Sequence, residues 1–288
     1  MRISKAVIPV AGLGTRFLPG SISIPKSMIP VFDRPPIHFC VEEASRAGID
    51  HIVIVASEGQ HAVPKYFEKR LDLEKAASDK KDFEMLSILQ EIPELADISV
   101  VIQKKQLGLG HAILQARNSL GSQPFAVLLP DDLILSDEPT IGAMCSVSEQ
   151  TEGMVVAIRQ VGEESIPNLG IVDLGKDYGS TVEILGMIEK PSLESAPSDM
   201  AIIGRYILPA QIFENIRNTP PGALGEIQLT DSMTSLLKTT DCTGYRFPGT
   251  HFDVGTPLGM LEASLHIGIA RHGFDFKPSN FKRNEDHL

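Results

Sequence analysis

Along the first half of the chain, short unbroken apolar runs alternate with stretches whose apolar residues recur every three or four positions. Ala6, Val7, Ile8 and Val10 form the first run. Ile37, Cys40, Val41, Ala44 and Ala47 then follow helical spacing, and Gly48 supplies a stop that tolerates left-handed backbone. Ile52–Ala56 and Ile98–Ile102 read as further strands, and a helix is predicted from about His111 to Ser119. Phe125–Leu129 is a continuous apolar run of the kind that a sheet buries on both faces. This alternation predicts an α/β fold with a largely parallel, doubly wound sheet flanked by helices.

Two regions depart from the rhythm. Residues 60–97 are rich in charge and poor in turn residues, which reads as an inserted helical excursion with a solvated face. In the second half the strand-like runs Met154–Ile158, Gly170–Leu174, Val182–Ile188 and Ala201–Leu208 crowd together, which predicts a smaller antiparallel or mixed extension. A helix from about Gly225 to Lys238 carries Leu229, Met233, Leu236 and Leu237. Thr256 and Pro257 form an N-cap and a first-turn proline for a last helix. The expected organisation is one domain over residues 1–273, divided near residue 150, followed by a polar tail over 274–288.

Composition narrows the function. A chain of 288 residues with 42% hydrophobic and 22% charged residues is ordinary for a globular protein. A net charge of −11 and a pI near 5.2 argue against a nucleic-acid binder, which normally shows a basic face. No apolar run reaches the length of a membrane span, the start of the chain reads as a strand, and Cys40, Cys145 and Cys242 are scattered. The expectation is a cytoplasmic protein with reduced thiols.

Candidate chemistry begins where the first strand ends. The turn Ala11-Gly12-Leu13-Gly14-Thr15-Arg16 leaves backbone N–H groups at a sheet edge where an anion can dock. It is neither a dinucleotide fingerprint, since Phe17 takes the third glycine position, nor a Walker loop. Arg16 adds a guanidinium fork and Lys26 a second cation, stiffened by Pro25 and Pro30. Two flanking cations point to a nucleoside triphosphate. In an acidic protein such a ligand needs local positive charge, because like charges about 4 Å apart repel by roughly 4 kcal/mol near a protein surface.

Other segments admit two readings each. Pro130-Asp131-Asp132, after a buried strand, is good turn chemistry and equally a place for a hard cation. Asp253, just before a helix, favours the helix dipole or holds a ligand. Glu189-Lys190-Pro191 is a surface ion pair or a second held cation. Gln103 with Gly108-Leu109-Gly110 is a glycine hinge or a set of uncharged donors for a base or sugar. His111 and His251 lack a nucleophile or a metal spacing and are left without a role.

These pieces, in order, resemble the bacterial UTP–glucose-1-phosphate uridylyltransferases (UDP-glucose pyrophosphorylases) of the sugar nucleotidyltransferase family. The stretches KAVIPVAGLGTRFLP, IPKSMIP, GLGHAIL, LLPDD, LGIVD, IEKP, AIIGRYIL, TPPGALGEIQLTD and FDVGTPLGM carry the match from about Lys5 to Arg271. The resemblance implies a transferase that makes UDP-glucose and pyrophosphate from UTP and glucose 1-phosphate with Mg2+, commonly as a homo-oligomer. It implies a Rossmann-like mixed, mostly parallel sheet, with a nucleotide-binding half to about residue 150 and a sugar-binding half over 151–273. It places Ala11, Gly12, Gln103 and Gly108 at the uridine, and Gly14, Thr15, Arg16 and Lys26 at the triphosphate. Asp131 and Asp253 match metal ligands, Gly170, Glu189 and Gly204 glucose contacts, and Lys190 the clamp on the sugar phosphate. Glu226 receives no role. One position departs: the family commonly has Glu after the lysine of the IPKSMIP element, and here Ser27 stands there.

Overall fold

The computed structural model describes residues 2–222 and 225–273. The tail expected over 274–288 lies outside them. Four parallel strands open the sheet: β1 (Lys5–Pro9), β2 (His51–Ser57), β3 (Asp97–Gln103) and β4 (Phe125–Leu128). They lie in the order β3-β2-β1-β4, the crossovers carried by α1 (Pro36–Arg46), by helices over the 60–97 region and by α5 (Leu109–Gln115) and α6 (Arg117–Leu120). Because the four strands run the same way, the segments that follow β1, β3 and β4 emerge on one edge. The glycine turn, Gln103 and the Pro130-Asp131-Asp132 turn are thereby neighbours before any side chain is considered.

The inserted region is helical as its pattern implies, with α2 (Ala62–Tyr66), α3 (Leu71–Asp79) and α4 (Phe83–Glu91). Asp82 caps α4 by accepting from the Met85 N–H at 3.1 Å. Val63 and Phe67 anchor the segment to the core, while Leu71 and Phe83 stay exposed.

Beyond β4 the sheet is mixed, so the expected predominance of parallel pairing holds only for its first half. β5 (Asp132–Leu135) leaves the sheet, and α7 (Thr140–Thr151) leads to β6 (Met154–Gln160), β7 (Gly170–Asp177), β8 (Thr181–Glu189) and β9 (Met200–Leu208). β9 inserts antiparallel between β4 and β6, buried along its whole length. β10 (Cys242–Arg246), which the apolar pattern does not reveal, runs parallel to β6 and antiparallel to β8. β7 pairs with β8 and, through Ile171 opposite Ala201, with β9. The run β9-β6-β10-β8-β7 therefore curls back on itself rather than forming a separate extension.

Helices cover both faces. α1 and α7 pack Ile37, Val41, Ile141 and Met144 on Ile8, Ile54 and Ile207. The other face carries α5, α8 (Ile212–Asn218) and α9 (Leu229–Leu236), which bury Ile113, Phe213 and Met233 on Val7, Val127 and Val156. α9 starts later than its apolar pattern suggests, because Gly225 sits at φ +73°, outside helical space. A two-stranded ribbon pairs β5 with β11 (Thr250–Asp253), and α10 (Pro257–His272) follows.

Thr256 caps α10 as its sequence predicts, its Oγ1 accepting from the Gly259 N–H at 3.2 Å. Thr256→Ala is expected to lower the unfolding free energy by about 1 kcal/mol, with Thr256→Ser close to the parent. Equilibrium urea unfolding of the three proteins checks this.

Candidate active site

Val10 continues β1 by one hydrogen bond, its N–H on the Val55 carbonyl at 2.8 Å, and the chain then turns through Ala11–Gly14. Gly14 has φ +64°, and its carbonyl accepts from the Ser21 hydroxyl at 2.8 Å. A side chain there would press on Lys26 Cβ at 3.3 Å, so the turn lies directly against the segment carrying the lysine. Turn, lysine segment and sheet edge enclose a cleft of about 490 Å³. Ala11, Gly12, Gly14, Thr15, Lys26, Gln103, Gly108 and Asp131, all singled out from sequence, line it. Arg16 and Asp253 stand beside it as a pair, 3.7 Å apart and each about half exposed.

At the far wall, Gln103 is buried at the end of β3 and its amide donates to the Gly108 carbonyl at 3.3 Å. The same amide lies 2.8 Å from His111 Nδ1, and burial lowers the pKa of that imidazole. Gly108 has φ +95°. A Cβ there would come within 2.8 Å of the Ile227 carbonyl and 2.9 Å of Glu226 Cβ. The Ile227 N–H donates to the Leu107 carbonyl at 2.8 Å and Gly110 N–H to the Ile227 carbonyl at 3.0 Å. These bonds stitch the glycine turn to the GEIQLTD element and explain why Glu226 lines the cleft, a placement that local sequence does not reveal.

The acidic end is built by the ribbon. Asp253 of β11 pairs opposite Asp132 of β5, and the Val254 N–H donates to the Asp131 carbonyl at 2.8 Å. Three aspartates from two distant segments thus converge. Each has its own partners: Asp131 Oδ2 accepts from Lys26 Nζ at 2.5 Å. Asp132 accepts from the Gly204 N–H at 3.0 Å and pairs with His251 Nε2 at 2.7 Å. Asp253 Oδ1 accepts from the Gly255 N–H at 3.0 Å. Burial pushes the Asp131 carboxyl up, but the charge and hydrogen bond of Lys26 outweigh it and hold the group below the usual carboxylate range. Asp253 is shifted the other way, by burial first and then by the Asp132 charge, with Arg16 opposing.

Two of the acids approach the same glycine. A Cβ on Gly255 would lie 2.8 Å from Asp253 Oδ1 and 3.2 Å from Asp131 Oδ2, so both carboxylates face one small space. Two carboxylates suit Mg2+, which keeps several waters and takes phosphate oxygens to complete its octahedron. Among the described residues no group of three or more His, Cys, Asp or Glu is placed to hold a metal.

The remaining candidates form a second group. Gly170 pairs with Glu189, and the β7–β9 contact sets both beside the head of β9. Glu189 Oε2 accepts from Thr230 Oγ1 at 2.7 Å and Oε1 lies 3.4 Å from Lys190 Nζ. Lys190 has φ +50°, unusual for a side-chain-bearing residue. Its half-exposed ammonium does not line the cleft. Gly204 is packed tightly: a side chain would meet Leu129 Cβ at 2.6 Å and the Asp132 carboxylate. Burial raises the hydroxyl pKa of Tyr206, and the charges of Asp132 and Glu189 add to it. Sequence gave no role to His251 or Thr230. The two-residue spacing of His251 and Asp253, one strand face, was the available signal for the former. The buried Ser27 hydroxyl finds no partner among the described residues.

Comparison with known proteins bears on this geometry. The family model described as nucleotidyl transferase matches residues 5–268. A protein of Staphylococcus saprophyticus named UTP–glucose-1-phosphate uridylyltransferase 2 is 41% identical over 268 residues, 93% of each chain. A crystal structure of UDP-glucose pyrophosphorylase complexed with UDP-glucose superposes with a TM-score of 0.85 at 38% identity, covering 93% of this chain and 100% of that one. The UTP-bound UGPase of Acinetobacter baumannii gives 0.86 at 39% identity, over 94% and 95%.

Gly255→Ala is expected to fill the space between Asp131 and Asp253 and weaken divalent-cation binding at least about tenfold. Titration with Mn2+ followed by electron paramagnetic resonance, with circular dichroism to confirm the fold, checks it.

Proposed function

The chain belongs to the nucleotidyl transferase family, and from that premise we propose that it transfers the uridylyl group of UTP to glucose 1-phosphate, giving UDP-glucose and pyrophosphate. The observation that carries this reading is the meeting of the Ala11–Gly14 turn, Lys26, Gln103, Gly108 and Asp131 in one cleft.

Uridine lies at the Gln103–Gly108 wall, which is shaped by backbone and has Glu226 beside it. The Gln103 amide nitrogen is engaged by Gly108 and His111, which leaves its carbonyl oxygen to accept from a base N–H. The triphosphate runs along the bare backbone of the glycine turn toward Lys26 and Arg16.

No general base is required. A phosphate monoester has a second pKa near 6, so glucose 1-phosphate is mostly dianionic at neutral pH and is itself the nucleophile. One of its oxygens attacks the α-phosphorus in line, and the bond to pyrophosphate breaks. Catalysis is then positioning and charge neutralisation. Lys26 and Arg16, each paired with a carboxylate in the resting protein, turn to the departing β- and γ-phosphates. Lys190 brings the sugar phosphate against the α-phosphate despite their repulsion. Glu189, held by Thr230, and Gly170 contact the glucose hydroxyls, and Gly204 supports the site through Asp132. Mg2+ held by Asp131 and Asp253 would offset charge on the bridging phosphate oxygens. A cytoplasmic homo-oligomer belongs to the same reading, tested by sizing and fractionation. No described helix is long and apolar enough to cross a membrane.

Purified protein is expected to release pyrophosphate from UTP and glucose 1-phosphate, to stop on chelation, and to work poorly with dTTP. Silence with UTP, or a preference for dTTP, would overturn the assignment. Lys190→Ala and Asp131→Asn should each lower kcat/KM at least about 100-fold, roughly 2.7 kcal/mol of transition-state stabilisation.

A further inference from the structure

Arg205 is the largest side chain that the fold buries completely, with 1% of its surface exposed, and the reaction above gives it no task. Its Nε and Nη2 both reach Glu43 Oε2, at 2.9 and 2.8 Å. Its Nη1 donates to two backbone carbonyls, those of Leu129 and Gly204, both at 3.1 Å. The second oxygen of Glu43 accepts from the Ile141 N–H at 2.9 Å, in the first turn of α7. Leu129 is the last residue before Pro130-Asp131-Asp132. Its carbonyl also accepts from the Asp132 N–H at 3.2 Å, and its N–H donates to the Gly204 carbonyl at 2.8 Å. The guanidinium therefore holds both carbonyls from which the acidic turn hangs.

Stability alone does not account for this pair. Desolvating two charges is expensive, and apolar replacements of a buried ion pair are often neutral or stabilising. What an apolar pair lacks is direction. A planar fork makes several bonds at fixed angles, which an ammonium does not reproduce.

We propose that the Arg205–Glu43 pair is a positioning device, which fixes the Leu129 and Gly204 carbonyls so that Asp131 meets Lys26 and faces Asp253 at one point. Through Glu43 it ties that point to α1 and α7. Neither residue touches substrate.

The test compares the parent with Arg205→Lys and with the double variant Arg205→Met, Glu43→Gln. The double variant removes both charges and keeps an acceptor for the Ile141 N–H. The readouts are melting temperature, UTP affinity in EDTA by calorimetry, Mn2+ affinity of the UTP complex, and kcat and KM for pyrophosphate release. The double variant is expected to melt near the parent and to bind UTP without metal within about threefold, while kcat and Mn2+ affinity each fall about 10- to 100-fold. Arg205→Lys should show the same loss of kcat, because charge without the fork does not rescue. Parent-like kcat and Mn2+ affinity in the double variant would overturn the proposal. So would a loss of metal-free UTP binding and of melting temperature in step with kcat, the mark of a purely structural pair. The activity readout rests on the uridylyl-transfer reading. If the parent releases no pyrophosphate, that reading fails, while the Mn2+ affinities still decide the positioning role.

Discussion

The structure turns on a crowding of like charge. Asp131, Asp132 and Asp253 are brought to one corner by a two-stranded ribbon, in a protein that already carries a net charge of −11. Like charges about 4 Å apart repel by roughly 4 kcal/mol near a protein surface, so crowded carboxylates need compensation. Lys26 serves Asp131, the Gly204 N–H and His251 serve Asp132, and the Gly255 N–H with Arg16 serves Asp253. Those partners come from the loop after β1, from β9 and from the segment around β11. Distant parts of the chain are thus committed to one place by the need to neutralise it. The opposite shifts of Asp131 and Asp253 follow from the same arrangement, since only Asp131 has a lysine in direct contact.

The curl of the second half of the sheet gives this corner a neighbour. The contact between Ile171 and Ala201 carries Gly170, Glu189 and Lys190 to the head of β9, close to Gly204. A flat sheet in the order β9-β6-β10-β8-β7 would hold them three to four strands away. The two groups of candidate residues are thus related by sheet closure.

What the sequence reveals is what local physics governs. The apolar run of β1, the bare turn at Gly12 and Gly14 and the cap at Thr256 are legible because each depends on a few neighbouring residues. The set lining the cleft is legible as well, since parallel strands bring their ends to one edge. The β5–β11 ribbon is not, because its pairing spans residues 132 and 253 and its strands are only four residues long. β10 is hidden by Thr243 and Gly244, which break its apolar run, although a Cβ at Gly244 would come within 2.7 Å of Ile158 and 2.9 Å of Ile184. Arg205 stands in an apolar strand, and its partner Glu43 lies 162 residues away, beyond the reach of local pattern. Gly204 appears from sequence as a ligand contact, whereas its tight fit against Leu129 shows a packing demand as well.

The ribbon also orders events in time. A ribosome delivers the glycine turn, Lys26 and Asp131 long before it delivers Asp253, and β11 pairs with β5 only after nearly all of the sheet exists. Until then the nascent protein has its ion pair between Lys26 and Asp131 but no second acid facing it. The acidic corner is therefore completed only once nearly the whole chain is available. A chain cut short before β11 carries two of the three aspartates and lacks the ribbon that sets Asp253 opposite Asp132.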